Sequence, residues 1–292
     1  MPEGHTIHRL AADLDERFGG RAVRADSPQG KFADGAALVD GQTLAVAEAH
    51  GKHLLLGFGP TTGQGTADPD AEPGAWMHVH LGLYGKVALG DGPLPPPVGQ
   101  IRLRLWRPPA APDPDDGGKP YAELRGPNTC ALVTPEERLA IRDRLGPDPL
   151  RPDADPERAW RRISASRTPI AALLMDQRVL AGVGNVYRAE VLFRHGVDPR
   201  LPGRDLDRAT WLALWADLGA LMTEGVRTGR IDTVRPEHTP EAMGRPPRVD
   251  DHGGEVYVYR RSGQPCLVCG TQVRAATLAA RNLFWCPRCQ PG

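Results

Sequence analysis

Apolar positions between His5 and Phe18 recur at helical spacing, with Ile7, Leu10, Ala11, Leu14 and Phe18 on one face. Short alternating or apolar runs with strand character follow: Thr43–Glu48, His53–Phe58, Trp76–Leu81, Lys86–Leu89 and Ile101–Trp106. In the last, Ile101, Leu103 and Leu105 alternate with Arg102 and Arg104, a period of two. Strands this short and frequent, with no helices between them, predict a sandwich or barrel-like domain. The segments Gly59–Gly74 and Arg107–Pro120 read as loops or disordered insertions.

From Thr134 the pattern becomes helical. Thr134-Pro135-Glu136-Glu137 combines an N-cap, a proline at the first helical position and a capping-box glutamate. Asp155-Pro156 and Thr168-Pro169 repeat the cap-plus-proline start. A short apolar helix over Ile170–Met175 stops at Val179-Leu180-Ala181-Gly182-Val183-Gly184, and a further helix runs from near Asn185 to Gly196. A long helix carries Trp211, Leu214, Trp215, Leu218 and Leu221, and Arg235–Gly254 reads as a mobile loop. The fold class expected is α+β, with strands in the first half and helices in the second.

At 292 residues and 40% apolar side chains, the chain can bury a core and divide into about two domains. No run approaches the roughly 18–20 apolar residues of a membrane span. MPEGHTIHRL lacks the apolar core of a secretion signal, so a soluble, cytoplasmic protein is expected. Basic and acidic residues balance at 36 each, but not locally. Residues 256–292 hold Arg260, Arg261, Arg274, Arg281 and Arg288 with no acid, and Glu157–Arg200 holds eight Arg against four acids. Asp68, Asp70, Glu72, Asp113, Asp115 and Asp116 gather instead in the Pro/Gly-rich stretches. The basic segments suit either a phosphate-binding surface or a solvated face.

Four of the five cysteines decide more. Cys266, Cys269, Cys286 and Cys289 read C-x2-C, sixteen residues, C-x2-C, the spacing of a tetrahedral four-cysteine zinc site with room for a hairpin. A tail of about 37 residues buries no core of its own, so one structural zinc ion would supply its folding energy. Disulfides or unlinked thiols are the alternatives, and disulfides are disfavoured in a reducing compartment. Solitary Cys130 reads as a buried hydrophobe. Pro2 is small enough for Met1 to be removed, leaving a secondary amine beside Glu3. Such an amine can attack a sugar C1′ and form an iminium, with the carboxyl moving protons.

MPEGHTIHRL, Gly51-Lys52-His53-Leu54-Leu55, LLMDQRVLAGVGNVY and the four-cysteine tail occur in an order that resembles the formamidopyrimidine-DNA glycosylase / endonuclease VIII family. The resemblance implies an N-terminal helix plus β-sandwich domain and a helix–two-turn–helix domain followed by a zinc-ribbon hairpin. The boundaries expected are 1–133, 134–234, a mobile loop at 235–255, and the ribbon at 256–292. It implies a bifunctional glycosylase/lyase that removes oxidised bases and cleaves the strand by β,δ-elimination. Pro2 would be the Schiff-base nucleophile and Glu3 the acid; Lys52 would contact phosphate and transfer protons, and Arg281 would serve δ-elimination. Asn185 would hold phosphate at a helix start, although an ordinary N-cap asparagine needs no DNA.

Within the family, Leu83-Tyr84 in His80-Leu81-Gly82-Leu83-Tyr84-Gly85 resembles the endonuclease VIII branch, which prefers oxidised pyrimidines. Leu83 and Tyr84 would enter the gap left by a flipped nucleotide, or else pack at a strand end. Leu124-Arg125-Gly126-Pro127 stands in place of the purine branch's Asp-Pro-Arg-Arg-Phe-Gly, and the resemblance makes Arg125 a candidate DNA contact. Thr6 stands where many members carry a second carboxylate. His78 with His80, and His5 with His8, suggest a metal without a third ligand, so core, surface or DNA contact is the better reading. The partner expected is double-stranded DNA with an oxidised base or abasic site, met by a monomer away from any membrane. Oxidised-purine preference on the same fold, and a non-catalytic zinc-ribbon DNA-binding protein, are the competing readings. Pro2, Glu3, Lys52 and Arg281 together argue against the last, because binding alone needs no secondary amine.

Overall fold

Alternating apolar positions in the first half close into two antiparallel sheets over one core. The structure, a computed structural model, describes residues 2–60, 73–107, 119–249 and 254–292. The acids Asp68, Asp70, Glu72, Asp113, Asp115 and Asp116, most of the two expected insertions, and Met1 lie outside the described residues. The chain divides into two units: Met1–Pro2 with Ile7–Asp143, and Glu3–Thr6 with Arg144–Gly292.

In the first unit, α1 (Gly4–Phe18) is followed by β1 (Arg24–Asp26), α2 (Ala33–Val39), β2 (Thr43–His50), β3 (His53–Gly59) and β4 (Ala75–His80). Then come β5 (Lys86–Asp91), β6 (Leu103–Trp106), β7 (Pro120–Arg125), β8 (Thr129–Val133) and α3 (Pro135–Asp143). Among the described residues the strands form two four-stranded sheets, ordered β1-β6-β7-β5 and β2-β3-β4-β8. Ile7, Leu10, Ala11, Leu14 and Phe18 of α1 enter one apolar cluster with Leu54, Leu56, Met77 and Val79 from one sheet and Leu103, Leu105 and Leu124 from the other. The helical face and the two strand faces read from the sequence are thus the core of a sandwich. Cys130 lies on β8, partly buried against that cluster, and burial pushes its thiol up to about 12.

The sequence pattern omitted α2 and the strands β1, β7 and β8. Arg104, although it falls on the polar side of the alternation, is buried, held bidentately by Asp26 across the β1–β6 pair at 2.7 Å through Nε and by a second bond through Nη2. The predicted capping box of α3 forms in both directions: Thr134 Oγ1 accepts from the Glu137 amide at 3.2 Å, and Glu137 Oε2 accepts from the Thr134 amide at 2.8 Å.

In the second unit, α4 (Pro156–Ile163), α5 (Ile170–Leu173), α6 (Asn185–Arg194), α7 (Arg208–Thr228) and α8 (Pro240–Met243) precede a hairpin of β9 (Arg274–Leu278) and β10 (Arg281–Trp285). Asp155 caps α4 as expected, accepting from the Glu157 amide at 2.9 Å, but Thr168 does not cap α5: Pro169 is its N-cap, without a side-chain bond. The loop expected after Arg235 contains a turn of 3-10 helix over Pro236–His238 as well as α8. Trp211, Leu214 and Leu218 of α7 pack with Tyr187 and Leu192 of α6 and with Tyr257, Leu283 and Phe284 of the tail. The tail therefore shares the helices' core rather than building its own.

One buried carboxylate ties the tail to α6. Glu190 is fully buried and accepts from the amides of Tyr257, Val258 and Tyr259 at 2.7–2.9 Å and from Thr233 Oγ1 at 2.6 Å. Removing it strands three buried N–H groups, each costing about 1–3 kcal/mol. Glu190→Ala is expected to destabilise the second unit by about 3 kcal/mol or more in denaturant unfolding; an unchanged midpoint would show that the clamp adds nothing.

Candidate functional site

The glycine-rich turn Leu180-Ala181-Gly182-Val183-Gly184 delivers the chain to α6 in a shape that only glycine permits. Gly182 has a φ of 87°, and a Cβ on Gly184 would lie 2.3 Å from the Glu3 carboxyl carbon. That space is filled by Glu3. Its fully buried carboxylate accepts from the amides of Gly184 at 2.9 Å, Val186 at 2.8 Å and Tyr187 at 3.4 Å. These are the orphan donors of the first turn of α6, whose positive dipole end attracts an anion. The Gly4 amide completes the anchorage by donating to the Gly182 carbonyl at 2.8 Å. Pro2, half-buried, precedes Glu3 directly in the chain, so the carboxylate's anchorage limits where the Pro2 nitrogen can reach.

Asn185 is the first residue of α6, and Gly184 is the N-cap, which corrects the reading of Asn185 as an ordinary capping side chain. Its Oδ1 accepts from Nη2 of Arg188, and the same nitrogen donates to the Asn282 carbonyl at 2.9 Å. Asn282 follows Arg281, which opens β10 and is exposed. Arg188, a residue that the sequence reading missed, thus links the Asn185 side chain to the backbone of the residue after Arg281. Arg188 could have been noticed as a charged residue among apolar neighbours in a short helix. The β9–β10 turn is formed by Ala279 and Ala280 with φ of 47° and 58°, a geometry that favours glycine and costs about 1–3 kcal/mol per residue.

In the first unit, Lys52 sits in the Gly51-Lys52 turn between β2 and β3, half-buried. Burial lowers the pKa of His80 and the charge of Lys52 lowers it further, which keeps this imidazole neutral near pH 7. The other expected histidine, His78, is 2.8 Å from His53, Nε2 to Nδ1, so β3 supplies a third ring to that face of β4. Leu83 and Tyr84 occupy the turn after β4, 49% and 86% exposed, so neither is strand-end core. Arg125 ends β7 and donates to Glu123 at 2.6 Å and to the Val98 carbonyl; its guanidinium is already engaged. Thr6 Oγ1 lies 3.3 Å from His5 Nε2.

The four cysteines converge. None of the five cysteines is in a disulfide, and the Sγ atoms of Cys266, Cys269, Cys286 and Cys289 all lie within 4.8 Å of one another. The 266–289 and 269–286 pairs are 3.8 and 3.5 Å apart, close to the edge of about 3.8 Å in a tetrahedron with Zn–S near 2.3 Å. The donor set fits one structural zinc ion, and four thiolates leave no coordination position for chemistry. Among the described residues it is the one such cluster, and no helix is long and apolar enough to cross a membrane.

Comparison with known proteins places this geometry. Residues 1–112 match the formamidopyrimidine-DNA glycosylase N-terminal domain, 145–236 the formamidopyrimidine-DNA glycosylase H2TH domain, and 263–292 the zinc finger found in FPG and IleRS. The chain is 48% identical to "Endonuclease 8 1" of Mycobacterium tuberculosis (strain ATCC 25618 / H37Rv) over 296 residues, covering 99% of this chain and 100% of that protein. It is 28% identical to a formamidopyrimidine-DNA glycosylase of Prochlorococcus marinus (strain MIT 9313), with 99% of each covered. The crystal structure of Lactococcus lactis formamidopyrimidine-DNA glycosylase non-covalently bound to DNA with an abasic site superposes with a TM-score of 0.74 at 18% identity, over 99% of this chain and 100% of that one. At that identity the likeness is one of fold. The chain belongs to the formamidopyrimidine-DNA glycosylase / endonuclease VIII family. It is a DNA glycosylase/AP lyase of base excision repair with one structural zinc.

Two outcomes test the site's physical chemistry. Cys286→Ser is expected to lower bound zinc from one equivalent to near none and to unfold the hairpin, read by metal analysis and melting; full zinc content would contradict the four-thiolate site. His5 is buried against the edge of the Tyr187 ring, centroids 5.4 Å apart, and burial holds its pKa down to about 4. A depressed histidine is neutral in the folded protein, so its contribution is full above pH 6.5 and is lost as pH falls toward 4. Stability against pH should slope through that window, and His5→Phe should flatten it; an equal slope in both proteins would refute the assignment.

Proposed function

We propose that the protein removes oxidised bases, mainly pyrimidines, from double-stranded DNA through a Schiff base at Pro2, and then cleaves the strand by β,δ-elimination. The observation that carries this reading is Glu3, held at the start of α6 one residue after Pro2, whose nitrogen becomes a secondary amine once Met1 is removed. Once Met1 is removed, the Pro2 nitrogen lone pair attacks C1′ of the flipped nucleotide. The glycosidic bond breaks, and the base leaves with that electron pair and a proton. Glu3 takes the proton that the attacking nitrogen sheds and passes it to O4′ as the C1′–O4′ bond breaks and the sugar ring opens, so that the nitrogen and C1′ share an iminium.

The iminium acidifies the C2′ proton. Its loss forms a C2′–C3′ double bond and expels the 3′ phosphate, and loss of the C4′ proton then expels the 5′ phosphate. Hydrolysis of the remaining imine frees Pro2, leaving a one-nucleotide gap with phosphate at both ends. Lys52 takes the phosphate-contact and proton-transfer role, with neutral His80 beside it leaving the ammonium as the local cation. Arg281, exposed at the start of β10, serves the δ step. Asn185 grips phosphate at the start of α6, and Arg125 adds a minor contact because Glu123 already holds it.

Leu83 and Tyr84 fill the gap left by the flipped nucleotide. Their exposure supports that role, since large apolar side chains held in water on a turn suit insertion into a base stack. The pyrimidine preference is supported by the Leu-Tyr pair and by full-length similarity to relatives named endonuclease 8. Borohydride trapping on duplexes with one thymine glycol, one oxidised guanine opposite cytosine, or one abasic site tests the reading, with intact-mass analysis of the protein. The expected result is an adduct at Pro2 that forms with thymine glycol faster than with oxidised guanine, and that Pro2→Gly with retained Met1 abolishes. Faster trapping on oxidised guanine would overturn the pyrimidine preference. No adduct on any duplex, from zinc-loaded protein beginning at Pro2, would overturn the mechanism.

A further inference from the structure

Arg188 is fully buried on α6, one turn after Asn185. Among the described residues its hydrogen bonds go to oxygen atoms of neutral groups: Nη1 donates to the Ala171 carbonyl at 3.2 Å, while Nη2 donates to Asn185 Oδ1 and to the Asn282 carbonyl. Its Nε is buried with no hydrogen-bond partner. Burial lowers its pKa to about 10; the Arg281 charge pushes the same way and Glu3 opposes both, so the guanidinium stays charged near neutrality. An apolar side chain would fill this volume without the cost of desolvating a cation. A packing role alone therefore does not account for an arginine here.

What the guanidinium does is fix two things at once. An asparagine amide can turn either way, and its neighbours decide which face it offers. With Oδ1 accepting from Arg188, the Nδ2 hydrogens of Asn185 remain for a ligand that accepts hydrogen bonds. The second bond, to the Asn282 carbonyl, pins β10 one residue beyond Arg281. It lies next to a turn whose two alanines adopt left-handed backbone, a conformation that persists only where the surroundings enforce it. We propose that Arg188 is a positioning residue that couples α6 to the zinc hairpin, orienting Asn185 and Arg281 together as a preformed grip on DNA phosphate. The proposal rests on the functional reading above.

The test compares Arg188→Met, Arg188→Lys, Asn185→Ala and the Arg188→Met/Asn185→Ala double variant in binding duplex DNA that carries a tetrahydrofuran abasic analogue. Zinc content and melting report the fold, and amide hydrogen exchange is followed over residues 279–283. Both Arg188 variants should bind about 10-fold more weakly, because a single ammonium cannot span the three acceptors of the planar fork. The double variant should bind more weakly than Asn185→Ala by itself but by less than the two single losses multiplied, because the Asn185 share is lost only once, and hairpin-tip exchange should accelerate about 10-fold in either Arg188 variant. Wild-type affinity in zinc-loaded Arg188→Met, additive losses in the double variant, or full rescue by lysine would each overturn the proposal. If Arg188→Met does not retain zinc, the lysine variant carries the comparison. If the wild-type protein does not distinguish the abasic duplex from an undamaged one, the functional reading fails, and the exchange arm still decides the coupling, with unchanged exchange overturning it.

Discussion

The buried carboxylate of Glu3 on the first-turn amides of α6 is the constraint from which the rest of the site follows. A carboxylate removed from water needs full hydrogen-bond compensation, and three backbone N–H groups at a helix start supply it with no second charged side chain. That requirement explains the glycines. Gly184 leaves the space that the carboxyl group occupies, and Gly182 takes the left-handed conformation that turns the chain into α6. It also explains why the N-cap of α6 bonds no side chain of its own: an acid distant in sequence does that work.

The same device recurs halfway along the helix. Glu190 collects three consecutive amides from the tail, so α6 holds the N-terminal residues at its start and the approach to the zinc hairpin from its middle. Arg188 lies between the two acids and bridges to β10. A ten-residue helix with nine buried residues, three of them Arg188, Glu190 and Asn185, is expensive to desolvate. Each polar group on it is placed so that backbone elsewhere in the second unit must adopt one conformation to satisfy it. The four-cysteine zinc site then closes the hairpin, with four thiolates replacing the core that a short tail lacks.

The first unit is a sandwich that carries its candidate site residues on turns. Lys52 and the Leu83-Tyr84 turn are all on β-turns, where side chains escape the pleat and the sheets beneath limit motion. Polar groups inside the sandwich are paired across strands, as Arg104 is with Asp26 and Arg125 with Glu123. Arg125 consequently offers less free charge than a count of basic residues suggests.

Much of this was legible in the chain itself. The core face of α1, the main strands of the sandwich, the capping box of α3, the cap of α4 and the spacing of the four cysteines are local patterns, and local geometry carries them. Where the pattern misled, a long-range partner was responsible. Arg104 is buried because Asp26 faces it from a neighbouring strand, and Asn185 is not an N-cap because Glu3, far away in sequence, satisfies the helix start. Arg188 could not be read at all as a positioning group, since its acceptors are carbonyls and an amide whose proximity no spacing encodes. Sequence by itself determined which residues could supply an amine, an acid, a phosphate contact and a metal site. Only the tertiary structure decided which of those groups are immobilised by buried hydrogen bonds, because burial and the pairing it demands are properties of segments that meet in space.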